Sequence, residues 1–184
     1  MLRYQAGEAA AFDELIARNT QRVHAIVSRF ILDPIMVEDL TQEVFLRVFR
    51  ASKRYKPTAR FSTFLYRIAA NLSFNALRAR KNSPTVPLDG YSTSQDEDYQ
   101  RQIPDYRQEA PGHGLSQHEM NDLLAQAVND LPENQRIAII LNKYEGSSYR
   151  DIAYVLKCSP MAVKSLLSRA RTSLRDSLKK YMSH

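Results

Sequence analysis

A chain of 184 residues can form one domain of ordinary size or two small ones, and 43% hydrophobic with 25% charged residues is the composition of a globular protein. A single cysteine, Cys158, excludes an intramolecular disulfide and any multi-cysteine zinc site, while His24, His113, His118 and His184 are too scattered to suggest a metal centre. The formal charge of +6 and the pI near 9.5 favour an acidic partner. No apolar run reaches the roughly 18 residues that span a bilayer. The start, Met1-Leu2-Arg3-Tyr4-Gln5, lacks the apolar core of a signal peptide, so a cytoplasmic location without membrane insertion is expected.

Charge is unevenly placed. Basic residues outnumber acidic ones by fourteen to seven over 1–81, fall behind by two to six over 82–118, and lead by ten to seven over 119–184. This order, basic then acidic then basic, already suggests a divided chain.

In the first segment Phe12, Leu15, Ile16, Val23, Ile26, Val27 and Phe30 recur at helical steps, and Asp33-Pro34 punctuates the end of that stretch. A second helix is expected from about Ile35, with Val37, Leu40, Val44 and Val48 as its apolar stripe and Asp39, Gln42, Glu43 and Arg47 largely off it. From Val44 to Leu88 there is no acidic residue, against ten basic ones and seven aromatics. Flat rings beside cations are the chemistry that holds unpaired nucleic-acid bases along a charged backbone. A solvated basic helix with core aromatics is the plainer alternative.

Spacing bears on that choice. A third helix is expected from near Ser62 or Thr63, either of which could cap it. At about 100° per residue, Leu65, Ile68, Ala69, Leu72, Ala76 and Ala79 gather on one side of it, and Phe64, Arg67, Asn71, Phe74, Arg78 and Lys81 on the other. The apolar side supplies a core stripe by itself, which favours a nucleic-acid surface on the basic aromatic side. Phe74 packing on a further helix remains open.

Residues 82–118 contain Pro84, Pro87, Pro104 and Pro111 and the acidic run Asp96-Glu97-Asp98, with neither a helical nor a strand period. They read as a flexible linker between a domain over 1–81 and another over 119–184. In the latter, a helix is expected over Glu133–Tyr144, ending before Gly146. Ser148 then caps a short helix through Leu156, Lys157-Cys158 turns the chain, and Ser159-Pro160 restarts it. Two helices joined so tightly form a helix-turn-helix. Its second helix turns Lys164, Ser168, Arg171, Thr172 and Arg175 outward with Ser165 and Arg169 on the flank, a face suited to a major groove. The fold class is therefore all-α: two small helical domains, the second a helix-turn-helix, joined by an acidic linker.

Three segments taken in order resemble the extracytoplasmic-function sigma factors of the sigma-70 family, and the resemblance covers nearly the whole chain: Asp39-Leu40-Thr41-Gln42-Glu43-Val44-Phe45, Phe61 through Asn71, and Leu131-Pro132-Glu133 through Arg171. The resemblance implies a bacterial initiation factor that binds core RNA polymerase, recognises the −35 and −10 promoter elements and promotes DNA melting, with no catalytic activity and no cofactor. It implies polymerase docking by Asp39, Gln42, Glu43, Phe45 and Arg47. The loop Tyr55–Thr63 and the following helix would hold the melted non-template strand. Phe61, Phe64, Tyr66 and Asn71 would lie near a base pocket, with Arg67, Arg78 and Lys81 on phosphates and Ser62 and Thr63 also on the −10 strand. Arg150, Lys164, Ser165, Ser168, Arg169 and Arg171 would read the upstream duplex. The same resemblance implies an anti-sigma partner, a monomer when free, and a linker in which Asp96, Glu97 and Asp98 imitate nucleic acid inside the polymerase or merely solvate a spacer. Phe64 stands where relatives commonly carry tryptophan, Leu166 where many carry arginine, and Met1–Gly7 replaces a longer lead-in.

Two other classes compete. A DNA-binding regulator with a sensing domain accounts for the helix-turn-helix but not for Asp39–Phe45 or the basic aromatic helix. A nuclease needs a carboxylate or histidine cluster; Asp39 and Glu43, four apart on one helix, are its only candidates, and docking or solvation suits them better.

Overall fold

The computed structural model describes residues 1–82 and 117–182, and every regular element among them is helical. A short α1 (Leu2–Gln5) precedes α2 (Ala10–Ser28) and α3 (Pro34–Ala51). The break between α2 and α3 is built as the sequence indicates. The Asp33 carboxylate accepts from the amides of Ile35 (3.0 Å) and Met36 (3.4 Å), and Pro34 takes the first helical position, where no amide is needed. A 3-10 turn at Ser52–Arg54 leads through a loop to α4 (Phe61–Asn82). Helix α1, which apolar periodicity does not signal, secures this turn: the Gln5 side-chain amide donates to the carbonyls of Ser52 (2.7 Å) and Tyr55 (3.0 Å).

Helix α4 starts earlier than expected. The Phe64 amide donates to the Arg60 carbonyl at 3.1 Å, which puts Ser62 and Thr63 inside the first turn rather than at its cap. Helices α2, α3 and α4 bury Val23, Ile26, Val27, Val44, Val48, Leu65 and Ala69 completely, and Ala69 and Ala70 allow α4 to lie close to its neighbours.

The second domain comprises α5 (Gln117–Asn129), α6 (Glu133–Lys143), α7 (Tyr149–Leu156) and α8 (Pro160–Met182). Helix α5 begins inside the stretch expected to be linker; the acidic run Asp96-Glu97-Asp98 lies outside the described residues. Ile140, Leu141, Ile152, Val163, Leu167 and Ala170 form the centre of this domain, each fully buried. The turn between α7 and α8 follows the expected chemistry. Lys157 adopts a left-handed conformation (φ 53°, ψ 46°), the Cys158 amide returns to the Ala153 carbonyl at 3.1 Å, and the Ser159 hydroxyl accepts from the Ala162 amide at 3.2 Å.

The two domains pack against each other, and this changes the expected division of α4. Leu65, Ala69 and Leu72 of its apolar stripe are buried, with Ile68 and Ala76 half-buried, but both rings of the basic aromatic side are covered as well. Phe64 and Phe74 are only 8% and 6% exposed. Phe74 meets Phe30 of α2 edge-on at 5.3 Å and lies beside Arg136 of α6, the further helix that the sequence reading left open. Helix α7 lies along the first turns of α4.

Candidate nucleic-acid interface

Two turns of α4 and the loop before it place three rings together. Tyr55 meets Phe64 at 5.2 Å and Phe61 at 6.0 Å, both edge-on, and Phe61 and Phe64 are 6.1 Å apart. Edge-to-face rings hold one another without consuming their outer faces. The Arg67 guanidinium sits 5.5 Å from the Phe64 centroid and 4.6 Å from that of Tyr154 on α7. Beside this cluster opens a cleft of about 740 Å³ lined by Arg47 and Arg50 of the α3 end, Arg54 of the 3-10 turn, Phe64, Arg67 and Asn71 of α4, and Lys157 of the helix-turn-helix turn. Glu43 is the acidic group at its edge, accepting from Arg47 at 2.9 Å and lying 3.6 Å from Arg50. The cleft is thus cationic with an aromatic wall, which suits a phosphate chain carrying flat rings.

Of the residues expected to hold unpaired DNA, Phe61, Phe64, Arg67 and Asn71 meet around this cleft and its aromatic wall, and Ser62 is half-buried beside them. Lys81 is exposed near the end of α4. The remaining three face the second domain. The Thr63 hydroxyl donates to Asp151 at 2.9 Å, the Tyr66 hydroxyl donates to Glu145, and Arg78 donates to Glu133. Glu145 also lies 3.4 Å from Arg22 of α2. Burial, followed by the Glu145 carboxylate, raises the Tyr66 phenol well above its ordinary range.

Among the residues expected to dock on polymerase, Asp39 and Gln42 are exposed on α3, Arg47 is exposed, and Glu43 is partly covered by its two arginines. Phe45 is a correction. It is 7% exposed and belongs to the core, because its position on α3 faces inward with Val44 and Val48. The sequence reading passed over two exposed apolar residues there. Ile35 (77% exposed) and Leu46 (49%) share a face with Asp39 and Gln42 at i, i+4, i+7 and i+11. Their signal was present: both lie off the stripe Val37–Leu40–Val44–Val48.

In the second domain Arg150, Lys164, Ser165, Ser168, Arg169 and Arg171 are all exposed. Lys164, Ser165 and Ser168 occupy the outer face of α8, and Arg171 lies at its border, edging an apolar groove of about 830 Å³ against α5 and α6. Asp151 links the capping of α7 to the seam. It receives the Ser148 hydroxyl at 2.6 Å while Ser148 accepts the Asp151 amide at 3.2 Å, and these bonds, with that from Thr63, hold its carboxyl below the usual carboxylate range.

One important residue was missed altogether. Arg136 is 6% exposed in the seam between domains, donating to the carbonyls of Phe30 (2.8 Å) and Arg29 (3.2 Å) at the end of α2, between the rings of Phe30 and Phe74. Its Nε has no partner among the described residues, and desolvation lowers its pKa. Arg136 precedes Ile140 by one turn, so a charge on the apolar side of α6 was the available clue.

Comparison with known proteins agrees with this two-part layout. The sigma-70 region 2 model matches residues 15–83 and the sigma-70 region 4 model matches residues 121–174. The RNA polymerase sigma-H factor of Pseudomonas aeruginosa is 32% identical over 179 residues, covering 96% of this chain and 90% of that protein. The chain belongs to the extracytoplasmic-function sigma-70 family. The sigma-E factor of Escherichia coli is 30% identical over 172 residues, covering 94% of this sigma factor and 88% of that one. In fold, it is similar to CnrH in complex with the cytosolic domain of CnrY (TM-score 0.68, 21% identity, 97% of this chain and 94% of that one). It is also similar to RpoE of Bartonella quintana in complex with the anti-sigma factor NepR (TM-score 0.64, 22% identity, 92% and 97%). As an RNA polymerase sigma factor, the protein serves transcription initiation and belongs to a family of regulators rather than catalysts. Among the described residues no helix is long and apolar enough to cross a membrane.

Proposed function

We propose that this sigma factor docks on core RNA polymerase through the exposed face of α3, melts the downstream promoter element with α4, and reads the upstream element with α8. The observation that carries the reading is the cationic cleft walled by Phe64, with Arg47, Arg50, Arg54, Arg67 and Asn71 around it. Taking a base out of a duplex costs a few kcal/mol, and an aromatic wall beside phosphate-binding cations can offset that cost. On α3, Asp39 and Gln42 give a polar patch bracketed by Ile35 and Leu46, the mixture expected of a protein-docking surface. On α8, Lys164, Ser165, Ser168 and Arg169 present donors to phosphates and base edges.

An anti-sigma partner fits this reading, since one fold relative above, RpoE of Bartonella quintana, was seen with an anti-sigma factor; the sigma factor is a monomer when free. Transcription reconstituted with core polymerase tests the assignment. Arg67→Ala with Asn71→Ala is expected to abolish promoter opening, read as loss of permanganate-reactive thymines, while leaving binding to core polymerase intact. Full opening by that variant, or a stable promoter footprint by the sigma factor without polymerase, overturns it.

A further inference from the structure

Met161 is 74% exposed in the first turn of α8, and among the described residues it belongs neither to the core nor to the apolar side chains packed against it. A single exposed apolar residue needs no explanation by itself. Its neighbours give this one a context. Met161, Lys164, Ser165 and Ser168 stand at i, i+3, i+4 and i+7 on one exposed face of the helix, while Val163, Leu167 and Ala170 are fully buried on the other. Leu166 is half-buried and packs on the core, so Met161 is the large apolar side chain that this face exposes.

The backbone under Met161 is fixed. The Ser159 hydroxyl accepts from the Ala162 amide at 3.2 Å, Pro160 takes the first helical position, and the Val163 amide donates to the Ser159 carbonyl at 3.1 Å. What can adapt is the side chain itself, with three rotatable bonds and a polarisable sulfur. A recognition helix reads base edges with its N-terminal residues, the part of α8 where Met161 stands. A thioether has no donor and is only a weak acceptor, so it gains nothing from phosphate oxygens and little from polar base edges. The apolar group that the major groove displays is the 5-methyl of thymine.

We propose that Met161 is a specificity-determining residue of the upstream contact, selecting thymine through its 5-methyl group at a base pair facing the first turn of α8. The proposal rests on the reading of α8 given above. Lys164, Ser165 and Ser168 distinguish bases by their hydrogen-bonding groups, whereas a methyl contact separates thymine from cytosine and uracil, which lack it. Bringing the thioether onto the methyl removes apolar surface from water on both sides, so the contact is favourable without any hydrogen bond.

The test uses the full chain bound to core polymerase, selecting from promoter duplexes randomised over the upstream element. The parent is expected to enrich thymine at a position where Met161→Ala shows no preference. Single duplexes then carry deoxyuridine there, which keeps the base pair and removes only the methyl group. Deoxyuridine is expected to weaken binding of the parent about fourfold, the factor that one buried methyl-sized group contributes, and to leave Met161→Ala unaffected. Equal loss in both proteins, or the same thymine enrichment in both, overturns the role of Met161. Weaker binding of Met161→Ala to core polymerase with base preference unchanged also overturns it, and assigns the residue to a protein contact. Lys164→Ala with Ser165→Ala separates this proposal from the reading beneath it. A selected sequence that changes in that variant but not in Met161→Ala leaves α8 as the duplex reader; one that changes in neither overturns the α8 assignment and the proposal together.

Discussion

Ser148 and Asp151 show how one side chain serves two levels of structure. Ser148 accepts the Asp151 amide and donates its hydroxyl back to the Asp151 carboxylate, whose other oxygen receives Thr63 from the first domain. Ser148→Ala is expected to cost about 1 kcal/mol, the usual loss for a helix cap, measured by denaturant unfolding. It also removes the largest cause of the depressed Asp151 pKa, so carbon-detected NMR titration should find that carboxyl titrating higher in the variant. The sign of the pH effect follows. Because the folded pKa lies below the unfolded one, Asp151 contributes stability that is complete above the unfolded value, about pH 4, and is lost as pH falls through the folded value. Phe45 makes the opposite point at the same scale: an aromatic inside the proposed docking segment is a core residue, because α3 has to present something apolar to its neighbours at that angle.

Helices carry functions on faces, and α3 and the α7–α8 turn are the clearest cases. The line Ile35–Asp39–Gln42–Leu46 is exposed and mixed in polarity, whereas the inward line is Val37, Val44 and Val48. Ile35→Ala with Leu46→Ala is therefore expected to weaken binding to core polymerase at least tenfold while stability moves by no more than about 0.5 kcal/mol, since neither side chain is buried. Binding would be followed by surface plasmon resonance and stability by thermal unfolding. In the α7–α8 turn, Lys157 holds φ at 53°, a region that costs a residue with a Cβ about 1 kcal/mol. Lys157→Gly should relieve this and raise the denaturant midpoint without changing the slope. Lysine at that position also lines the cationic cleft, a reason for the chain to carry a cation where glycine fits the backbone better.

At the scale of the whole molecule, Arg136 decides how firmly the domains are held. Its guanidinium closes the end of α2 by donating to the Phe30 and Arg29 carbonyls. Arg136→Ala leaves those carbonyls and a side-chain-sized space and is expected to destabilise the closed chain by about 2 to 4 kcal/mol. Arg136→Met, which fills the space without a charge to desolvate, should lose much less. Calorimetric unfolding of the two variants distinguishes a packing role from an electrostatic one.

Much of this was legible in the chain. Asp33-Pro34, Ser148 and Ser159-Pro160 determine helix starts locally, since each supplies a side-chain acceptor or a missing amide where the backbone needs it. Apolar periodicity placed α2, α3 and α6–α8, and the order of the three sigma-like segments placed the family. Short α1 and the start of α5 carry too few apolar steps to register. What only the tertiary structure decided is which charged and aromatic residues are covered, and by what. Tyr66 and Phe74 are covered, and Arg136, Glu145 and Asp151 gain their roles, because two faces distant in sequence come together in space. A helical projection reports the angle at which a side chain leaves its own helix; the identity of the surface that meets it depends on contacts tens of residues away, which no local period encodes.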